Sequence, residues 1–445
     1  MKYFKLSFLA GMASMLVMGL TGSALAFHDG GVGACDGCHT MHNSYKGLKV
    51  TITGAVLVGN PYLLIGSDAS STCLNCHGPA DTTVSASAGA NSFHIDTDAA
   101  GYTGTTLPVE RTPGGDFAWL KTSLSNVGVI TAAPSEALNR HGHHIVAGDY
   151  NFQANTDNSG LAPGGTYLAT DLSCASCHNP HSGLTLDGST LPISGSGSYG
   201  GTPVAGTALG VYRLLGGINY ILPGTTYFFA YAPPAAVAPL NYNQPDVSVP
   251  TQTRVAYGQG MSEWCANCHL GIYNLDPTAD VTHRHVASNV ALLNQVMPDG
   301  VTNAAAIYNG YVNTGNITGG SQTSSYLALV PYELGTSDQA TLLPYASDGA
   351  GQVGATALSG PVLGTENVMC LSCHRAHASG FDSMTRFDAQ NEFVTDPTGS
   401  YCYIGADLAE HVDTSGYIQA ALNGLPSTFF GLSQRMLCNK CHAKD

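Results

Sequence analysis

Twelve of the thirteen cysteines in this 445-residue chain fall into six Cys-x-x-Cys pairs, and a histidine follows every pair directly. They are Cys35 and Cys38 before His39, Cys73 and Cys76 before His77, and Cys174 and Cys177 before His178. Cys265 and Cys268 precede His269, Cys370 and Cys373 precede His374, and Cys438 and Cys441 precede His442. Two cysteines three apart share one side of a helical turn, so both thiols reach one edge of a flat macrocycle while the next imidazole turns beneath it. This is the attachment pattern of c-type haem, with the histidine as proximal ligand of the iron. Six motifs therefore imply six haems c. Structural zinc would explain two pairs meeting at one metal but gives no reason for a histidine after each. Thioredoxin-like chemistry needs a single pair in a βαβ setting. Cys402 stands outside the pattern and reads as a bystander.

What closes the far side of each iron decides between electron carriage and catalysis, because only a vacant position admits a small molecule. Eleven further histidines are available for six positions: His28, His42, His94, His141, His143, His144, His181, His283, His285, His377 and His411. His42, His181 and His377 each lie three residues after a motif histidine. Their backbone is held on the proximal side, so they cannot reach round to the far face of the same porphyrin. Each must serve a different haem, which draws neighbouring haems close and suits electron hopping. Beyond residue 26 there are six methionines, Met41, Met261, Met297, Met369, Met384 and Met436, and packing is the expected role of most. An electron carrier with every iron closed is thus expected rather than an enzyme. The alternatives are a monomeric periplasmic shuttle, or a reductase of a small oxyanion, which would need an exchangeable position on one iron.

Lys2 and Lys5, the apolar run Phe8 to Leu20 and the small residues around Ala24 and Ala26 have the form of a secretory leader over residues 1–26. The run is shorter than the roughly 20 residues a spanning helix needs, so export is expected, with no membrane span in the mature chain. The net charge is −15, and losing the two leader lysines makes the remainder more negative still. Nucleic acid is an improbable partner for such a chain, since phosphate binding needs clustered Lys and Arg. Only 10% of residues are charged, and 54 are glycine. Such a chain loses much backbone entropy on folding, and haem planes would have to supply interior that its side chains lack. The expected fold class is low regular secondary structure, mostly loops with short helices and a few short strands, wrapped around a row of six c-type haems. Residues 27–445 form one elongated unit on this reading. Helical patterns occur over Ser288–Val296, Ala304–Val312, Ala406–His411 and the motifs, and a strand pattern over Lys49–Val58.

The segments Cys38-His-Thr-Met-His-Asn-Ser44, Thr112-Pro-Gly-Gly-Asp-Phe117 and Ile145-Val-Ala-Gly-Asp-Tyr-Asn151, with residues 27–31, 252–269, 370–387 and 437–445, carry a family resemblance. Together they resemble the OmcS-type outer-surface hexahaem c-type cytochromes of metal-reducing bacteria; the linkers around 186–205 and 388–430 depart from the pattern. The resemblance implies a secreted chain at the cell outer surface, polymerised into filaments that conduct electrons along a continuous haem stack. Electrons would come from periplasmic or outer-membrane cytochromes and pass to metal oxides or other cells. It further implies His42, His94, His143, His181, His285 and His377 as distal ligands, with His42 crossing to the haem of His374 in the next subunit. His143 is chosen among His141, His143 and His144, and His285 over His283, by register alone.

Overall fold

The computed structural model describes residues 35–40, 44–45, 48–49, 62–78, 95–96, 114–121, 140–181, 184–191, 193, 205–237, 253–273, 286–296, 303–314, 330–348, 360–389, 391–402, 415–422, 426–436 and 438–442. The leader, most of the strand pattern after Lys49 and the helix pattern at 406–411 lie outside them. Regular structure is sparse. The helices are α1 (Cys35–Cys38), α2 (Ala69–His77), α3 (Cys174–Cys177), α4 (Met261–His269), α5 (Ala304–Thr314), α6 (Gln339–Leu342), α7 (Cys370–Cys373) and α8 (Ser415–Ala421). Strands of two to four residues form three antiparallel pairs: Ser44–Tyr45 with Leu48–Lys49, Ala235–Val237 with Ala256–Gln259, and Thr253–Arg254 with Ser347–Asp348. Among the described residues no helix is long and apolar enough to cross a membrane.

Five motifs sit on α-helices and the sixth on a 3₁₀ turn, Cys438–Lys440. The helix pattern at 304–312 is met by α5, but the one at Ser288–Val296 is not: that segment is a run of turns. Its apolar residues do repeat at helical spacing, yet its backbone groups are engaged elsewhere. Ser288 N–H donates to Val368 O, Leu293 N–H to Glu366 O, and Ala291 O accepts from Val368 N–H. A segment whose peptide groups pair with a distant chain cannot also close helical turns.

Side chains fill the spaces between motif segments. Trp119, Tyr308 and Phe229 are essentially inaccessible, and Met261, Met369 and Met436 are buried in apolar clusters, the packing role expected of them. One aromatic group ties α3 to α4. Tyr220 Oη donates to Ala175 O at 2.7 Å, Tyr227 Oη donates to Asn267 O, Trp264 Nε1 donates to Gly216 O at 2.8 Å, and Phe229 meets Trp264 edge-on. Burying one such ring contributes roughly 1.5–3 kcal/mol, and its polar tip fixes orientation as well.

Electrostatic neighbours put the motifs in sequence order. Cys73 is influenced by Cys38 and Cys174, Cys265 by Cys177 and Cys370, and Cys373 by Cys438.

Candidate functional site

A motif helix of one turn has few hydrogen bonds of its own, so the surrounding chain must hold it. For the first, third and fifth motifs it does so with one repeated clip. His39 Nδ1 is 2.8 Å from Tyr62 O, Thr40 N–H donates to Leu63 O, and Ile65 N–H returns to Cys38 O. In the third motif the same positions are His178 with Arg213 O, Asn179 with Leu214 O, and Gly216 with Cys177 O. In the fifth they are His374 with Ser383 O, Arg375 with Met384 O, and Arg386 with Cys373 O. Leu63, Leu214 and Met384 all have φ near +55°, at 55°, 54° and 57°. A side-chain-bearing residue there costs about 1 kcal/mol, a strain held by three hydrogen bonds around it. The fourth motif uses a looser form: His269 Nδ1 is 2.9 Å from Pro163 O, and Gly271 N–H donates to Gly164 O, with Gly164 at φ 68°. A carbonyl only accepts, so each of these Nδ1 atoms carries a proton, which leaves Nε2 as the nitrogen able to face a metal.

Three of these motif histidines face a second histidine from elsewhere in the chain. His39 and His181 have ring centroids 6.0 Å apart, His143 and His269 5.9 Å, and His178 and His377 6.4 Å. Within the 141–144 group His143 meets the ring of His269, and His141 Nδ1 bonds to Ser379 O at 2.9 Å. Burial lowers the pKa values of His178, His269 and His374, and takes His143 down to about 4 and His377 to about 3. These imidazoles stay neutral, the form that ligates metal. His42, His94 and His285 lie outside the described residues.

The motifs also pair among themselves. Cys73 and Cys174 are electrostatic neighbours, and Cys174 N–H donates to Ser70 Oγ at 3.0 Å. Cys265 stands in the same relation to Cys370, whose N–H donates to Ser262 Oγ at 3.0 Å. In each following motif an inner serine closes the turn: Ser176 Oγ accepts from Ser173 N–H, and Ser372 Oγ from Met369 N–H. Sequence reasoning did not single out these serines, although Ser70 and Ser262 both stand three residues before a motif cysteine.

No protein-family model matches the chain. A full-length comparison does: it is 44% identical over 465 residues to the C-type cytochrome OmcS of Geobacter sulfurreducens, covering 100% of both chains. The chain belongs to the OmcS family of c-type cytochromes. Two solved structures agree with that assignment. The cryo-EM structure of the OmcS nanowires from Geobacter sulfurreducens matches 94% of this chain and 100% of its own, with TM-score 0.76 and 43% identity. The Outer Membrane Cytochrome S filament from the same organism matches over the same shares with TM-score 0.73 and 44% identity.

For a member of the OmcS family the cofactor is haem c, and the residues present fit it. Each motif offers two thiols and an imidazole, and three of the imidazoles oppose a second ring across a gap of about 6 Å. All thirteen cysteines are free of disulfides, and Cys402 is partly buried.

Proposed function

We propose that this chain carries electrons on six haems c, each attached through the two cysteines of one motif, with His39, His77, His178, His269, His374 and His442 as proximal ligands and a second histidine closing every iron. Bound haem supplies one-electron chemistry; the chain's own residues fix where the electron rests and what can approach it. The observation that carries this reading is the set of three ring pairs. Two imidazoles bonded to opposite sides of one metal, each at about 2 Å, have ring centres roughly 6 Å apart. On that basis His181 closes the iron of His39, His377 that of His178, and His143 that of His269.

A rule emerges from two of these pairs. His181 follows His178 by three residues and reaches back to His39; His377 follows His374 by three and reaches back to His178. His42 follows His39 by three and has no earlier motif in its own chain. Continued by one step, the rule sends His42 to the iron of His374 in the next subunit, leaving His94 and His285 for the irons of His77 and His442. The exposure of Cys35 and Cys438 supports the same junction, since they belong to the first and last motifs and the other motif cysteines are partly buried. The OmcS relatives are described as nanowires and filaments, in keeping with this arrangement.

The function is therefore conduction along a secreted homopolymer at the cell outer surface, built from single units of residues 27–445. Electrons enter from periplasmic or outer-membrane cytochromes and leave to extracellular metal oxides or other cells. The test is ligand binding to the reduced protein. Ferrous protein should take up no carbon monoxide at native pH; stoichiometric uptake would sink the closed ligation and favour a reductase.

A further inference from the structure

Beside α4, three buried side-chain oxygens of Glu333, Glu263 and Asn367 have no hydrogen-bond donor among the described residues. Glu333 is fully buried; its Oε1 accepts from Met261 N–H at 2.7 Å, at the first residue of α4, and its Oε2 is buried with no partner. Glu263, on α4 itself, accepts through Oε1 from Tyr273 Oη at 2.6 Å and Asn289 N–H at 2.8 Å, and its Oε2 is likewise buried without a partner. Asn367 is directly opposite Glu333 in an antiparallel bridge, each N–H donating to the other's carbonyl, so the two side chains leave the same face. Its Oδ1 is a third buried acceptor without a donor, its Nδ2 being used by Thr365 O. Among the described residues no Lys or Arg pairs with either carboxylate.

Leaving such a group bare costs about 1–3 kcal/mol, and more when it is charged. One proton on Glu333 removes its charge and supplies a missing donor. We propose that Glu333 is a redox-linked proton-binding site, taking up a proton on Oε2 when an electron enters the motifs carried by α4 and α7 and releasing it when that electron leaves. This rests on the haem reading above. In the forward step bound haem would take one electron from a lower-potential donor while one proton passes from solvent to the Glu333 carboxylate; reoxidation would reverse both. The link is electrostatic: the added negative charge disfavours a carboxylate anion nearby.

Burial, reinforced by the Glu263 charge and opposed by the Met261 N–H, raises Glu333 to about 8. The groups that face it are Glu263 from α4, Tyr273 just beyond, Tyr257 from the 256–259 strand, Asn367 from 360–368 and Cys370 at the start of α7, with Asn289 N–H held on Glu263. Cys370 ceases to titrate once it forms a thioether.

The experiment uses the six-haem protein, its haem content fixed beforehand by absorbance so that failure of the haem reading is seen separately. Potentiometric titrations at a series of pH values across 8 should show part of the haem population falling in potential as pH rises. Reduction should strengthen proton binding on the order of tenfold, the effect of one charge at partly buried separation. Glu333→Gln keeps an acceptor for Met261 N–H and carries a permanent donor, so it should abolish that dependence and leave the affected potentials at their low-pH values. Redox difference infrared spectra of the unmodified protein should contain a protonated-carboxyl band that shifts in deuterium oxide and is absent from the variant. Unchanged pH dependence in Glu333→Gln, or no such band in the unmodified protein, overturns the proposal.

Discussion

Where the second motif meets the third, Ser70 Oγ receives the Cys174 N–H; where the fourth meets the fifth, Ser262 Oγ receives the Cys370 N–H. At the chain's two ends the corresponding cysteines, Cys35 and Cys438, are exposed. The residues differ too: Arg435 occupies the position before Cys438 that serine holds before Cys73 and Cys265, and Gly37 replaces the inner serine of the third and fifth motifs. Interior junctions are thus finished within one chain, by side chains chosen for each other. Among the described residues no serine contact of that kind is seen at the end motifs, so an axial bond from His42 would have to carry more of the junction between subunits.

That contrast can be broken first at His42. His42→Ala should abolish filaments in electron micrographs while leaving a six-haem monomer by absorbance; filaments that persist unchanged would refute the inter-subunit ligand. A smaller effect separates the two interior junctions. The helix of the second motif begins on Asp68, whose Oδ1 accepts Ser71 N–H, whereas that of the fourth begins on buried Glu333. Glu333 has its folded pKa raised from 4.5 to about 8, so the native state holds the proton more tightly than the unfolded chain. Its contribution is fully present below about 4.5 and is lost as pH rises through about 8. Denaturant midpoints of the wild type should fall across that window relative to Glu333→Gln, and parallel curves would count against a protonated Glu333.

Smaller again is the loss of one serine. Ser70→Ala and Ser262→Ala each strand a cysteine N–H and should each cost about 1–2 kcal/mol in chemical unfolding; markedly unequal costs would mean that the two junctions are not equivalent. Arg435→Ala, at the matching position of the last motif, should change the isolated subunit by less than about 0.5 kcal/mol. A cost as large as that of Ser262→Ala would show that the end motif is finished within its own chain after all.

Much of the site was legible because the attachment chemistry is local. Cys174, Cys177 and His178 must be near neighbours along the chain for any fold to present them together, and the same holds for the other five motifs. The α5 helix was legible for the same reason, its repeat being satisfied by its own backbone. The pattern at Ser288–Val296 misled because residues 366–368 claim its peptide groups, which no local periodicity records. The clips were invisible for a different reason: Tyr62, Arg213 and Ser383 contribute only backbone carbonyls, and any residue type offers one.

Sequence by itself determined six attachment sites, a surplus of histidines over irons, and a chain too rich in glycine and too poor in charge to build an ordinary core. Tertiary structure decided which histidine meets which. His39 and His181, or His143 and His269, are separated by more than a hundred residues, and their approach to about 6 Å depends on how the intervening loops fold back. Covalent attachment is written in spacing because its atoms are neighbours in the chain; the second axial partner is a long-range contact, and only packing brings it within reach.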